Sequence, residues 1–231
     1  MIACYDDFVR ELLKAGFSTG SGNPYGVFSL IPFTWEEQQY ITAGPIRWHT
    51  EDPETDPWEW RMRVLEERND IAYAKLFFST GGYITAEWYP KFLAVRRGGR
   101  SFEDDWADGL VSDSARRIYE TVAEHGDVPL HEIKRLGGFD RTENGRFERA
   151  LLDLQMKLYL TMCGRMQKVN KFGEAYGWNT TVFCTVESFW ARRGVSLPAE
   201  DPKTSYEAIR ARLLALSPDA APASVRRFIE G

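Results

Sequence analysis

ENGRFERALLDLQMKLYLTMCGRMQKVNKFGEAYGWNTTVFCT, residues 143–185, reads as a helix, a strand, a polar hairpin and a returning strand. Phe147, Ala150, Leu151, Leu154 and Leu158 recur at i, i+3, i+4, i+7 and i+11. That is the stripe of one helix face, and it predicts a helix over Glu143–Lys157. Tyr159–Met162 then reads as a strand, RMQKVNKFGEAYG as a hairpin, and Trp178–Thr185 as the strand that comes back.

Upstream of this stretch two more helices are predicted. Ser114–His125 offers Ile118, Tyr119 and Val122 to a core, and Leu130–Leu136 is closed by Gly137-Gly138, with Val128 in a brief extended link between them. Helix, helix, helix, strand, hairpin, strand is the order of a winged helix-turn-helix, placed here at 113–190. The fold class is therefore read as α+β, with that unit packed against an N-terminal mixed α/β region, residues 1–112. Residues 191–231 form a helical tail, with Thr204 and Glu207 as a capping box for Ser205–Leu216 and a last short helix over Ser224–Ile229.

The N-terminal region is organised by Trp48–Arg97, which holds four of the eight tryptophans. Asp56 is an N-cap, Pro57 occupies the first helical position, and the helix runs Pro57–Arg68. On a wheel it has two apolar stripes, Trp58/Met62/Leu65 and Trp60/Val64, so both faces should pack. Arg61 and Arg68 fall between the stripes. They are expected to be buried and paired with carboxylates, with Asp52, Glu54 and Asp56 nearest in sequence. Tyr5–Ala15 is a short amphipathic helix stopped by Gly16. Val27–Ile31 is read as a strand, Trp35–Tyr40 as a helical turn, and Ile71–Phe78 as a buried strand. Gly81-Gly82 is read as a turn, Thr85 as a helix cap, and Phe102–Asp108 as an acidic loop.

The net charge of −5 is unevenly spread. Residues 1–112 carry 11 Lys and Arg against 18 Asp and Glu, residues 113–178 carry 11 against 10, and residues 179–231 carry 7 against 6. Nucleic-acid contact is thereby disfavoured for the N-terminal half and left open beyond it. Cys4, Cys163 and Cys184 make an odd number without a CxxC pair, which reads as reduced thiols in a cytosolic protein, with Cys163 and Cys184 on facing strands. No apolar run reaches membrane-spanning length, so no membrane partner is expected. His49, His125 and His131 have no Cys or His at ligand spacing, which argues against a metal, and no GxSxG, P-loop or GxGxxG occurs. No cofactor is called for, no catalytic residue is assigned, and the oligomeric state stays open.

Two constellations remain. Arg146, Arg149 and Lys157 share the face opposite the apolar stripe of the third helix, and Arg165, Lys168 and Lys171 follow on the hairpin. A basic recognition helix and wing suit duplex DNA phosphates. Against this, Asp153 lies four residues from both Arg149 and Lys157, and winged helices also serve as protein-contact modules. The second set is Trp48, His49, Asp56, Trp58, Trp60 and Arg61. It reads either as a pocket that stacks a planar ligand or flipped base, or as a packed aromatic core around one hydrogen-bonded histidine.

The segments WHT, DPWEWRMRVLEERNDIAY, FFSTGGYITAEWYP, IYETVAEHG, FERALLDLQMKLYLTMCG and KFGEAYGW together resemble the AlkZ-related group, named after the AlkZ/YcaQ crosslink-repair DNA glycosylases. The similarity covers roughly 1–190, with DPWxW and YGW as its most specific parts. It implies winged-helix architecture and an ancestry in excision of alkylated bases from DNA, for which the parent family uses a Gln-x-Gln or Gln-x-Asp pair. No such triplet occurs here; Gln155-Met156-Lys157 and Gln38-Gln39-Tyr40 are the nearest approaches. The function expected is a DNA-associated winged-helix protein related to base-excision glycosylases and lacking that motif. The alternatives are a degenerate glycosylase-like protein that binds a base or small molecule, and a protein-interaction module.

Overall fold

The computed structural model describes residues 2–41, 44–167, 177 and 179–231. Among these the chain is α+β, with two three-stranded antiparallel sheets. Helix α1 (Tyr5–Ala15) ends at Gly16, which takes φ +92°. A side chain there would run into the Trp88 indole, so the glycine serves both the left-handed turn and a close approach. Strand β1 (Phe17–Thr19) follows, and residues 27–31 contribute an isolated bridge between Ser29 and Thr19 rather than the expected strand. A 3-10 turn at Glu37–Tyr40 falls within the expected helical turn.

Helix α2 (Pro57–Glu67) starts at the expected N-cap Asp56 and ends one residue short of the expected bound, with Arg68 as its C-cap. Trp60 and Val64 are fully buried, and Met62 and Leu65 nearly so, while Trp58 stays 44% exposed. One stripe is thus wholly in the core and the other opens at its first residue.

Strands β2 (Ile71–Phe77) and β3 (Thr80–Thr85) form a hairpin, and β3 pairs β1 on its other edge. The turn is not at Gly81-Gly82. It is at Phe78-Ser79, both left-handed at φ +53° and +64°, the conformation of a tight two-residue hairpin. The glycines stand inside β3 because a Cβ on Gly81 would lie 2.3 Å from the Tyr73 hydroxyl, and one on Gly82 would lie 2.4 Å from the Phe77 ring. Helix α3 (Tyr89–Arg97) begins four residues after the expected cap at Thr85, with Trp88 as its N-cap. The acidic segment is a helix, α4 (Phe102–Ala107), held by a Ser101/Asp104 capping box.

Helices α5 (Asp113–His125), α6 (Leu130–Leu136) and α7 (Asn144–Met156) and strands β5 (Leu160–Met166) and β6 (Thr180–Thr185) fall where the sequence places them. A short strand β4 (Val128–Pro129) pairs β6, so the second sheet has order β4-β6-β5. All five residues of the α7 stripe are buried. Three helices complete the chain: α8 (Val186–Arg192), absent from the sequence reading; α9 (Pro202–Leu216), capped by Asp201 rather than Thr204; and α10 (Pro222–Glu230).

The two sheets meet through β2 and β5, and α7 also packs on β2. The Gln155 side chain accepts the Lys75 amide at 3.1 Å and donates to the Leu151 carbonyl at 3.0 Å, which joins α7 to the edge of the first sheet. One cluster of buried side chains runs through all three segments of the chain. Phe77 and Phe228 stack at 3.9 Å, placing α10 on the first sheet. Beside them Arg96 donates to the carbonyls of Leu76, Met156 and Phe228 at 2.8 Å and of Ile229 at 3.0 Å. Two of its targets, Phe228 and Ile229, lie in the last turn of α10, and Met156 ends α7, so the guanidinium meets the negative ends of two helices at once. Its neighbour Arg97 reaches the Lys157 and Leu158 carbonyls and pairs with Glu187 at 2.6 Å.

Arg96→Lys keeps the charge but loses the planar fork that spans four acceptors. It is expected to cost about 3 kcal/mol of unfolding free energy, the scale of two or three buried carbonyls left unpaired. Urea denaturation checks this, and a loss below about 1 kcal/mol would count against the role given to this residue.

Candidate functional site

The turn into α2 is built on one carboxylate. Asp56 is fully buried and accepts four backbone N–H groups: His49 at 3.1 Å, Thr50 at 2.8 Å, Glu51 at 3.0 Å and Trp58 at 2.8 Å. To aim three consecutive amides at one side chain, the loop puts His49 and Glu51 in left-handed conformations, φ +60° and +62°. Each such residue costs on the order of 1 kcal/mol, which charge-assisted hydrogen bonds of this number offset. Asp56 therefore shapes the site from inside and offers no spare lone pair to a ligand.

The strained turn sets the His49 ring 4.8 Å from Trp58 and 6.0 Å from Trp35, which is 58% exposed. Arg61 lies with its guanidinium carbon 3.3 Å from the centroid of the Trp58 ring and donates Nε–H to the Trp58 carbonyl at 2.8 Å. It also approaches Tyr73, whose hydroxyl is pushed up by burial and drawn partly back by this cation. A cleft of about 660 Å³ opens here, lined by His49, Trp58 and Arg61 on one wall and by Arg165, Asn179 and Thr181 on the other. Arg165 closes it by pairing with Glu59 at 2.7 Å and Glu66 at 3.1 Å, and these partners raise its pKa. Among the described lining residues, Glu51 alone keeps a carboxylate with no hydrogen bond or ion pair.

Of the six residues read as a pocket, four line this cleft: His49, Asp56, Trp58 and Arg61. Trp60 and Trp48 are core residues. The Trp60 indole donates to the Pro53 carbonyl at 3.1 Å and stacks on Phe8 at 5.0 Å, and Trp48 is 8% exposed. The expectation of carboxylate partners holds for one arginine of two. Arg68 is half-buried and grips Asp70 at 2.6 and 2.9 Å, whereas Arg61 has an indole face, a carbonyl and a phenol. The nearby acids are already used: Glu54 by Arg63, Asp52 by Thr55, and Asp56 by the loop amides. Asn179 and Thr181, two apart and so on one face of the returning strand, are site residues that the sequence reading passed over. Their alternation was the available signal.

The basic set is divided by the fold. Arg146 and Arg149 stand exposed on the first two turns of α7, with no hydrogen bond or ion pair among the described residues, and Asp153 does not close on Arg149. Lys157 is drawn back to the Leu110 carbonyl at 3.2 Å and to Asp105 at 3.5 Å. Arg165 is held by two glutamates on α2. Lys168, Lys171 and Trp178 lie outside the described residues.

A family model described as AlkZ related matches residues 2–230. The chain belongs to the AlkZ-related family. The match spans nearly all of it, so the α8–α10 segment belongs to the family unit together with the rest. No curated protein and no solved structure matches this AlkZ-related chain. Among its described residues no helix is long and apolar enough to cross a membrane.

Asp56→Ala removes the acceptor for four backbone amides and the N-cap of α2. The expected loss is about 3 kcal/mol in urea unfolding, above the usual cap contribution of roughly 1 kcal/mol, because the loop amides are stranded as well.

Proposed function

We propose that this AlkZ-related protein is a DNA-associated module in which residues 113–190 act as a winged helix and α7 meets duplex DNA. The single observation that carries this reading is the state of α7. Helix α7 packs on β2 and α5 through its apolar stripe, while its first two turns expose Arg146 and Arg149 with no hydrogen bond or ion pair among the described residues, and Asp153 feels the Arg149 charge without closing on it. The N-terminal residues of a recognition helix are the ones that approach base edges and phosphates. The order α5-β4-α6-α7-β5-β6, with sheet order β4-β6-β5, supports the same reading. The excess of acid in residues 1–112 disfavours a second DNA contact from that half, so the contact is confined to α7.

Binding rests on few charges. Two to four phosphate contacts give a log–log salt slope between about −2 and −4. Duplex affinity is to be measured against salt for the wild type and for Arg146→Ala with Arg149→Ala. The double variant should bind at least about tenfold more weakly at low salt, with a slope shallower by about 2. A wild type that fails to bind at low salt, or a variant that binds as well with the same slope, overturns the reading in favour of a protein-interaction module.

A second reading is carried by the cleft at His49, Trp58 and Arg61. We infer that it receives one planar base or a similar heterocycle, packed on the exposed part of the Trp58 ring that Arg61 leaves uncovered. Its volume lies within the range of small-molecule sites. The family's glutamine pair has no counterpart in the sequence, so the reading is one of binding and assigns no catalytic residue. A duplex with one unpaired base should bind about tenfold tighter than the fully paired duplex, since stacking of a base on an aromatic ring is worth roughly 1–3 kcal/mol. Trp58→Ala should abolish that preference; if it is retained, the cleft is not the base site.

A further inference from the structure

The second sheet brings together three groups that are far apart in sequence. Asp127 immediately precedes β4, Cys163 stands at the irregularity of β5 between Met162 and Gly164, and Cys184 is in β6 opposite Thr161. One carboxylate oxygen and the two Sγ atoms all lie within 4.8 Å of one another, and Asp127 Oδ1 is 3.6 Å from Cys163 Sγ. Spacing along the chain argued against a metal because no Cys or His recurs at ligand intervals. The sheet supplies the juxtaposition that spacing cannot show.

We propose that Asp127, Cys163 and Cys184 bind a zinc ion. Tetrahedral zinc with Zn–S near 2.3 Å and Zn–O near 2.0–2.2 Å sets ligand separations of about 3.8 Å between sulfurs and about 3.5 Å between sulfur and oxygen. The Asp127–Cys163 edge already has that length, and no edge of the triangle needs to shorten by more than about 1.3 Å. The donor set suits a thiophilic divalent ion rather than magnesium or calcium, which select all-oxygen sites.

The surrounding charge fits the same ion. Zinc with two thiolates and one carboxylate carries a net charge of −1. Arg192 meets the other Asp127 oxygen at 2.6 Å, and Arg193 is fixed beside it by the Leu65 carbonyl at 2.8 Å. Arg192 thereby orients the ligating carboxylate and offsets the excess charge, as hydrogen-bonded partners of metal-bound carboxylates do. Cys184 is fully buried, whereas Asp127 and Cys163 face a cleft of about 610 Å³ bounded by α2 residues Leu65, Glu66 and Glu67. The fourth coordination position opens into that cleft and takes water. The ion would tie all three strands of the sheet together.

The test uses the full chain, stripped with a chelator and kept reduced with a phosphine. Cobalt(II) is the probe, and zinc is the competitor. One equivalent of cobalt should produce a near-ultraviolet sulfur-to-cobalt band and the visible bands of a tetrahedral ion, and zinc should displace both. Cys163→Ser, at a half-exposed position, should lose the sulfur band or weaken binding by at least about tenfold, and Asp127→Asn should weaken it by a similar factor. Cys184→Ser is a less suitable variant because its site is fully buried. Cys4→Ser should bind as the wild type does. Failure of the reduced wild type to develop the band, full binding by Cys163→Ser, or loss of binding in Cys4→Ser overturns the proposal.

Discussion

A single guanidinium, that of Arg96, is where the chain converges. It is held among carbonyls of β2, the end of α7 and the end of α10, with Phe77, Phe92 and Phe228 around it. Burial lowers its pKa to about 10, which leaves it charged at neutral pH. Among the described residues no carboxylate forms an ion pair with it. Its compensation comes from four oriented carbonyl dipoles, three of them at the C-termini of two helices, a pairing that works only if all three segments are in place. With Arg97 holding the junction of α7 and β5, a pair of adjacent residues sets how the first sheet, the second sheet and the helical tail sit together.

The candidate site depends on the same kind of arrangement at a smaller scale. Asp56 turns a strained loop into a platform, and the platform presents His49 to Trp58 and Arg61. Across the cleft, Arg165 reaches from β5 to two glutamates on α2, which are seven residues apart and so on one helix face. The cleft therefore has one wall from each half of the protein, and its shape depends on their packing. Charge is used locally throughout this region. Such pairing keeps these glutamates on Arg165 rather than on the arginines of α7.

Much of the fold was readable because local signals agreed with tertiary placement. The α7 stripe, the Asp56-Pro57 start of α2 and the Gly16 stop of α1 each encode one element with little outside help. The misreadings share a cause. Gly81-Gly82 looks like a turn, yet the glycines answer to Tyr73 and Phe77 across the sheet, and the turn falls on Phe78-Ser79, whose residue types do not announce it. Ser101 and Asp104 cap a helix that composition suggested was a loop. At the site, the aromatic and cationic membership was legible in part, but the partition was not. Trp60 and Trp48 differ from Trp58 only in which side of the core they face. Arg165 differs from Arg149 only in having two glutamates within reach, a fact of tertiary distance. The cluster of Asp127, Cys163 and Cys184 is the extreme case, since its members share no local pattern.

The Arg96 contacts also have a temporal side. They bridge residues 20, 60, 132 and 133 positions apart in the chain. Loops of that length must close before the guanidinium gains its acceptors, and folding slows as such distant contacts dominate. During synthesis Arg96 leaves the ribosome long before Phe228 and Ile229 exist. Until those residues have been made, α3 holds a cation against the first sheet with half of its acceptors missing, so the three segments have to settle late and together.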